Sequence, residues 1–280
     1  MNKILITGHK GMLGRALVDV AQRLGKDFTG LDLPECDLTS RKQVETAVFD
    51  CEPDFILHGA AYTAVDKAES DAAMAYLVNA TGTQNICLAA QSLGIPLMHI
   101  STDYVFDGTK EGPYDEWDAA NPQSVYGKSK YAGEFFVRSL CPMHYIVRIS
   151  WLIGHGGANF VETMLKLAAD KPALTVVNDQ HGSPTFVNDL APELFRLAEN
   201  GAYGTYHITN QGFTTWFDLA RKIMELTGSQ TVVNPIRAID YPRPAPRPKN
   251  SCLSPRLYEN AIGIRMPSWE EGLKKYLDER

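Results

Sequence analysis

"KILITGHKGMLG" (residues 3–14) runs from a short apolar stretch into three glycines spaced three apart, and the fold turns on that junction. Lys3–Thr7 has the β-branched character of a strand, and the apolar spacing from about residue 13 to 24 is that of a helix. Glycines at 8, 11 and 14 between the two let the backbone turn tightly and approach a ligand closely. The start of the following helix offers free amide donors and a favourable dipole to an anion such as a pyrophosphate. Asp32 follows 18 residues after Gly14, at the end of the next apolar run, where an acid can accept hydrogen bonds from a ribose. Strand, glycine turn, helix and acid in this order predict a dinucleotide-binding βαβ unit.

The same alternation continues outward. Strands are expected at 3–7, 27–31, 54–58, 96–100 and 144–149, with helices near 13–24, 40–50, 70–93 and 124–140. Strands joined by helices rather than hairpin turns predict right-handed crossovers in a parallel sheet. The fold expected is therefore α/β, a Rossmann-like doubly wound sheet. After about residue 150 the alternation weakens, and "HGGAN" (155–159) and "RPAPRP" (243–248) are loop signals. Residues 1–152 are expected to form the dinucleotide-binding domain. Residues 153–280 are expected to form mainly a smaller substrate-binding lobe, with some segments returning to the first domain. A short helix is expected near 268–278.

Composition narrows the function classes. At 280 residues, 44% hydrophobic and 21% charged, the chain has an ordinary globular balance, and no apolar run approaches a membrane span. The start "MNKILITGHKG" lacks a signal-peptide cleavage site, and a net charge of −6 argues against a nucleic-acid surface. Five cysteines, at 36, 51, 87, 141 and 252, form no Cys-x-x-Cys pair, which fits reduced cytoplasmic thiols. The seven histidines show no ligand spacing, and no metal site is expected.

Two later stretches carry the chemistry. "HISTDYVFDG" (99–108) puts Ser101, Thr102 and Asp103 just beyond the fourth expected strand, at the sheet edge where open parallel sheets bind ligands. "SVYGKSKYAGE" (124–134) puts Tyr126 and Lys130 four apart, on one face of the next helix. Tyr, Lys and Thr together suit carbonyl reduction: the phenol supplies a proton and the threonine hydroxyl holds the carbonyl oxygen. A free phenol is a weak acid near neutrality. An ammonium within ~4–6 Å would lower its pKa by roughly 1–3 units. Small Ala60 and Ala61 after the third strand allow close passage of a cofactor, and Asp37-Leu38 is placed to close over an adenine. Trp151, just past the fifth strand, offers a flat apolar face to a deoxysugar, or else packs in the core. Arg243, Arg247 and Lys249 sit on a stiff proline-rich segment, as a diphosphate site or as a strap between domains.

Seven stretches together resemble the extended short-chain dehydrogenase/reductase family: "GHKGMLG", "AAYTAVDKAE", "STDYVFDG", "SVYGKSKYAGE", "RISWLIG", "NDQHGSPT" and "RPAPRPKNS". Within it they are most similar to members that reduce the 4-keto group of dTDP-linked 6-deoxysugars. The resemblance implies an NADH- or NADPH-dependent reductase acting on such a sugar, dTDP-4-dehydro-L-rhamnose foremost, in the cytoplasm and as a monomer or homodimer. It implies Thr102, Tyr126 and Lys130 as the catalytic trio. It implies cofactor contacts from Gly8, Gly11, Met12, Leu13, Gly14, Asp32, Asp37, Leu38, Ala60, Ala61, Tyr62, Tyr126 and Lys130, and substrate contacts from Thr102, Asp103 and Trp151. Some members hold a magnesium ion between subunits with acidic residues; two matching positions here are Ala16 and Asn188. Related dehydratases have an acid two residues after the threonine, whereas Tyr104 occupies that place, which favours reduction. A cofactor-binding regulatory subunit without catalysis, such as the relative that associates with methionine adenosyltransferase, is the alternative from another class.

Tyr126→Phe keeps the ring and removes the acid. Turnover is expected to fall by ~10²–10⁴-fold while the dinucleotide still binds. Steady-state rates together with a cofactor titration check this, and a variant keeping more than half the wild-type rate would rule Tyr126 out as the proton donor.

Overall fold

A computed structural model describes residues 1–280. Strands β1 (Lys3–Thr7), β2 (Asp27–Leu31), β3 (Phe55–His58), β4 (Leu97–Thr102) and β5 (His144–Ile149) join the strand Gly204–His207 in one sheet. Their order is β2, β1, β3, β4, β5, Gly204–His207, and every pairing is parallel. The chain moves one way from β1 to β2 and the other way from β1 to β3. The switch point at which such sheets bind ligands therefore lies above β1 and β3.

Side chains along each strand divide between two cores. Ile4, Ile6, Phe55, Leu57, Met98, Ile100, Tyr145 and Val147 face one side, with Leu17 and Val20 of helix α1 (Met12–Arg23) and Leu190 and Leu194 of the helix Val187–Asn200. Leu5, Ile56, Leu97 and Ile146 face the other, with Val44 and Val48 of helix α2 (Arg41–Cys51), Ile86 of Thr83–Leu93 and Val137 of Val125–Leu140. This two-sided burial is why these strands read as continuous apolar runs. Each buried Leu or Ile contributes roughly 1.5–3 kcal/mol to holding the layers together. The result is the doubly wound, Rossmann-like α/β fold.

Three elements differ from expectation. β4 extends through Ser101 and Thr102, so these end the strand rather than follow it, and Asp103 opens a short 3₁₀ turn. The helix expected over 70–93 is Ala72–Tyr76, then a π-helical stretch Leu77–Gly82, then Thr83–Leu93. Asn79 inside the π stretch is buried, with its side-chain amide bonded to both backbone groups of Tyr62 and to Ser129 Oγ. The sixth strand, Gly204–His207, and the helix before it do not show as a continuation of the alternation, because residues 150–186 form other structure between them and β5.

Part of that stretch and residues that follow the sixth strand build a third core. Val161 and Met164 of the helix Phe160–Asp170, Leu174 and Val176, Leu219 and Ile223 of Trp216–Thr227, and Trp269, Leu273 and Tyr276 of Trp269–Asp278 pack together beside the sheet. The lobe so formed faces the C-terminal ends of the strands, and the cleft lies between the two. At the sheet side of that cleft, α1 begins against the turn that precedes it. A Cβ at Gly14 would lie 2.0 Å from the Gly8 carbonyl oxygen, so only glycine permits this approach.

Candidate active site

A cleft of about 710 Å³ runs along the carboxyl ends of the strands, within the roughly 300–1,000 Å³ range of ligand clefts. Gly8, Gly11, Met12, Leu13 and Gly14 form one end. No side chain caps α1, so its first amides stay available at that wall. Asp32, Asp37, Leu38, Ala60 and Ala61 continue the lining. The exception among the expected residues is Tyr62. It does not line the cleft; its backbone is held by Asn79 and its hydroxyl donates to Asp71 at 3.4 Å.

The corner beside Asp32 differs in detail from the sequence expectation. Asp32 accepts the backbone N–H groups of Lys10 at 3.2 Å and Leu33 at 2.9 Å. The Lys10 ammonium, which could approach a 2′-phosphate from its place before Gly11, is bonded to Glu35 at 2.6 Å and to the Leu33 carbonyl at 2.9 Å. Glu35 lies close enough to claim it, a pairing the spacing of 25 residues did not reveal.

Thr102, Asp103, Tyr126 and Lys130 line the other end of the cleft. Ser124 starts the helix Val125–Leu140 by accepting the Gly127 N–H on its hydroxyl at 3.1 Å, which puts Tyr126 in the first turn. The Thr102 hydroxyl donates to Asp103 Oδ1 at 2.9 Å. Asp103 Oδ2 is buried without a partner, an acceptor left for a polar ligand at the cleft wall. Burial pushes the Asp103 carboxyl up to about 6.

The electrostatics correct one expectation. Burial raises the Tyr126 phenol to about 12, with Asp103 adding to the rise and Thr102 opposing it, so the phenol lies above its free value rather than below it. Lys130 shares the helix face but spends its protons elsewhere, on the Ile100 carbonyl at 2.7 Å and His99 Nε2 at 3.3 Å. Burial brings the Lys130 amine down to about 8, partly offset by Glu134, and keeps His99 neutral.

Trp151 also differs. Its indole lies flat on Trp216, with ring centroids 3.4 Å apart and planes at 7°, and its Nε1 donates to Ser251 Oγ at 3.1 Å. Its backbone sits at φ 46°, a strained value for a non-glycine residue, pinned by these contacts. Both indoles line the cleft, so the apolar wall is a pair rather than one ring. Trp216, which opens the helix Trp216–Thr227, carried no signal because nothing near it in sequence resembles a site. Arg243, Arg247 and Lys249 do not line the cleft. Arg243 and Arg247 both grip Asp66, at 2.8 and 2.9 Å, and Arg247 lies over the Tyr104 ring, 6.0 Å from its centre. Ala16 is buried under the sheet, and Asn188 donates to Glu279 at 2.6 Å.

A family model described as the RmlD substrate binding domain matches residues 1–280. The chain belongs to the RmlD family. It is 41% identical to a dTDP-4-dehydrorhamnose reductase of Aggregatibacter actinomycetemcomitans, over 98% of each chain. It is 40% identical to the spore coat polysaccharide biosynthesis protein SpsK of Bacillus subtilis, over 100% of this chain and 98% of the relative. The crystal structure of dTDP-4-dehydrorhamnose reductase from Bacillus anthracis in complex with NADP superposes with a TM-score of 0.97 at 40% identity, covering 100% of both chains. No helix of this RmlD-family chain is long and apolar enough to cross a membrane.

The two shifted groups set an expected pH response. kcat/KM should rise as Asp103 ionises near pH 6 and fall as Lys130 loses its proton near pH 8, while Tyr126 does not titrate in between. A profile from pH 5 to 10 checks this; a flat response through pH 9.5 would deny Lys130 a charged role.

Proposed function

We propose that this RmlD-family chain reduces the 4-keto group of a dTDP-linked 6-deoxysugar, dTDP-4-dehydro-L-rhamnose to dTDP-L-rhamnose, with NADH or NADPH. The observation that carries this reading is one cleft with a glycine turn at one end and Thr102, Tyr126 and Lys130 at the other. Full-length similarity to dTDP-4-dehydrorhamnose reductases supports it. The glycine cradle and uncapped start of α1 suit a pyrophosphate, so Gly8, Gly11, Met12, Leu13 and Gly14 would hold a dinucleotide, with Asp32 at a ribose. A bound nicotinamide supplies the hydride for the sugar C4. Tyr126 gives its proton to the C4 oxygen, Thr102 holds that oxygen by a hydrogen bond, and Lys130 provides positive charge and a donor beside them. The ionised Asp103 accepts a sugar hydroxyl on its free Oδ2, and Trp151 with Trp216 shields the apolar side of the sugar from water. We assign the dinucleotide to residues 1–152 with the segments that return to the sheet, and the sugar to the lobe. The reaction is placed in the cytoplasm, in a monomer or homodimer.

The test is loss of nicotinamide absorbance with purified protein and a panel of dTDP- and UDP-linked 4-keto-6-deoxysugars. Turnover is expected with the dTDP compound. Dinucleotide binding without consumption on any substrate would instead favour a regulatory subunit, and loss of water from a hydroxy sugar would favour a dehydratase.

Cofactor choice follows from the ribose corner. Asp32 repels a 2′-phosphate, and Lys10, held by Glu35, offsets this less than its position alone suggests. NADH should be used at least as well as NADPH, with NADPH accepted. Asp32→Ala should move the kcat/KM ratio toward NADPH, whereas Lys10→Ala should move it only slightly toward NADH. A strong NADPH preference unaltered by Asp32→Ala would exclude this ribose site.

A further inference from the structure

Tyr126, Lys130 and Glu134 stand four residues apart, on one face of the helix Val125–Leu140. That face meets three consecutive residues of β4: Lys130 donates to the Ile100 carbonyl, Glu134 accepts from Ser101 Oγ at 2.6 Å, and Tyr126 lies beside Thr102. Glu134 is fully buried, and its carboxylate is saturated. Oε1 takes Ser101 Oγ and Arg148 Nε at 2.9 Å; Oε2 takes Arg148 Nη2 at 2.8 Å and Arg138 Nη2 at 2.7 Å. Arg148, 2% exposed, comes from β5 directly opposite Ser101, and its Nη1 reaches the Glu116 carbonyl at 3.4 Å. One carboxylate thus joins the helix to β4 and β5, one residue from Thr102.

We propose that Glu134 is a positioning residue that fixes the register of this helix against β4 and thereby sets Tyr126 relative to Thr102. The proposal rests on the reading of the site given above. Burial alone would raise the carboxyl; Arg148 and Arg138 override that and hold it down to about 2, so the anion is present at every working pH. A buried ion pair replaced as a whole by apolar groups of similar volume is often neutral or stabilising, whereas removing one partner is costly, so a double replacement separates the charge from the fold. A slide of the helix has a catalytic consequence instead, since a displacement near 1 Å can cost ~10²-fold in rate.

Three variants test this. Glu134→Gln should lower kcat by about 10- to 100-fold with the KM for the dinucleotide within about threefold of wild type. Ser101→Ala should lower kcat by about 3- to 10-fold with the KM for the dinucleotide unchanged and with only the modest loss of melting temperature expected for one buried hydrogen bond. Glu134→Leu with Arg148→Met removes both charges, and Arg138, being partly exposed, can turn to solvent. This double variant should melt near wild type and still turn over slowly, and its crystal structure should show the helix displaced along β4. Recovery of wild-type kcat in the stable double variant, or an undisplaced helix, would overturn the proposal and leave Glu134 a purely structural role. If Glu134→Gln fails to fold, the other two variants decide. A wild type inactive on every keto sugar would remove the reading on which the proposal stands.

Discussion

The helix Val125–Leu140 lies so close to its neighbours that no Cβ fits between them, and the site depends on that approach. A Cβ at Gly127 would come within 2.2 Å of the Tyr104 carbonyl oxygen, and one at Gly133 within 2.5 Å of the Asn79 carbonyl oxygen. The glycines between and after Tyr126 and Lys130 therefore have a packing reason. They let the helix bearing the phenol and the amine press against the end of β4, where Thr102 is. With larger residues the helix would stand away, and no hydrogen bond spans the gap that would open.

Close packing also explains the electrostatics. Lys130 is deep enough that its amine loses much of its affinity for a proton, a loss that Glu134 partly offsets, while its protons are donated to the Ile100 carbonyl and His99. His58 lies in the same layer, its two ring nitrogens bonded to Thr7 at 2.7 Å and Thr83 at 3.0 Å, and its burial keeps it neutral. The only permanent charges admitted here are Glu134 with Arg148 and Arg138, which satisfy one another. Neutral imidazoles surround that single amine, whose proton affinity burial lowers toward the working range as it raises that of the Asp103 carboxyl at the strand end.

The lobe contributes shape rather than ionisable chemistry. Trp151 and Trp216 come from different parts of the chain and meet as a parallel pair, with Phe160 tilted against Trp216 at 4.6 Å. Elsewhere, the proline-rich segment is tied to Asp66 by two arginines and by the Ala245 N–H. These two contacts, one apolar and one ionic, join later parts of the chain to the sheet domain. The arginines act as a strap here because Asp66 takes both.

How much of this was legible in the chain follows from the range of each interaction. The glycine turn, the β1–β5 alternation and the Tyr126/Lys130 pair were readable because each depends on residues within a few turns of one another, where strand and helix periods show directly. Ser101 and Thr102 at the cleft were legible for the same reason, although the end of β4 was misplaced by two residues. Tyr62 stands off the cleft wall, its backbone held by Asn79, seventeen residues away, a contact that the sequence does not show. The Lys10–Glu35 pair, the stack of Trp151 on Trp216 and the Glu134 joint depend on side chains brought together by packing, across separations that carry no periodic signal. Local sequence determined which groups stand at the ends of the strands; tertiary packing alone decided which of them touch, because burial, and not spacing, sets the partner of each polar group.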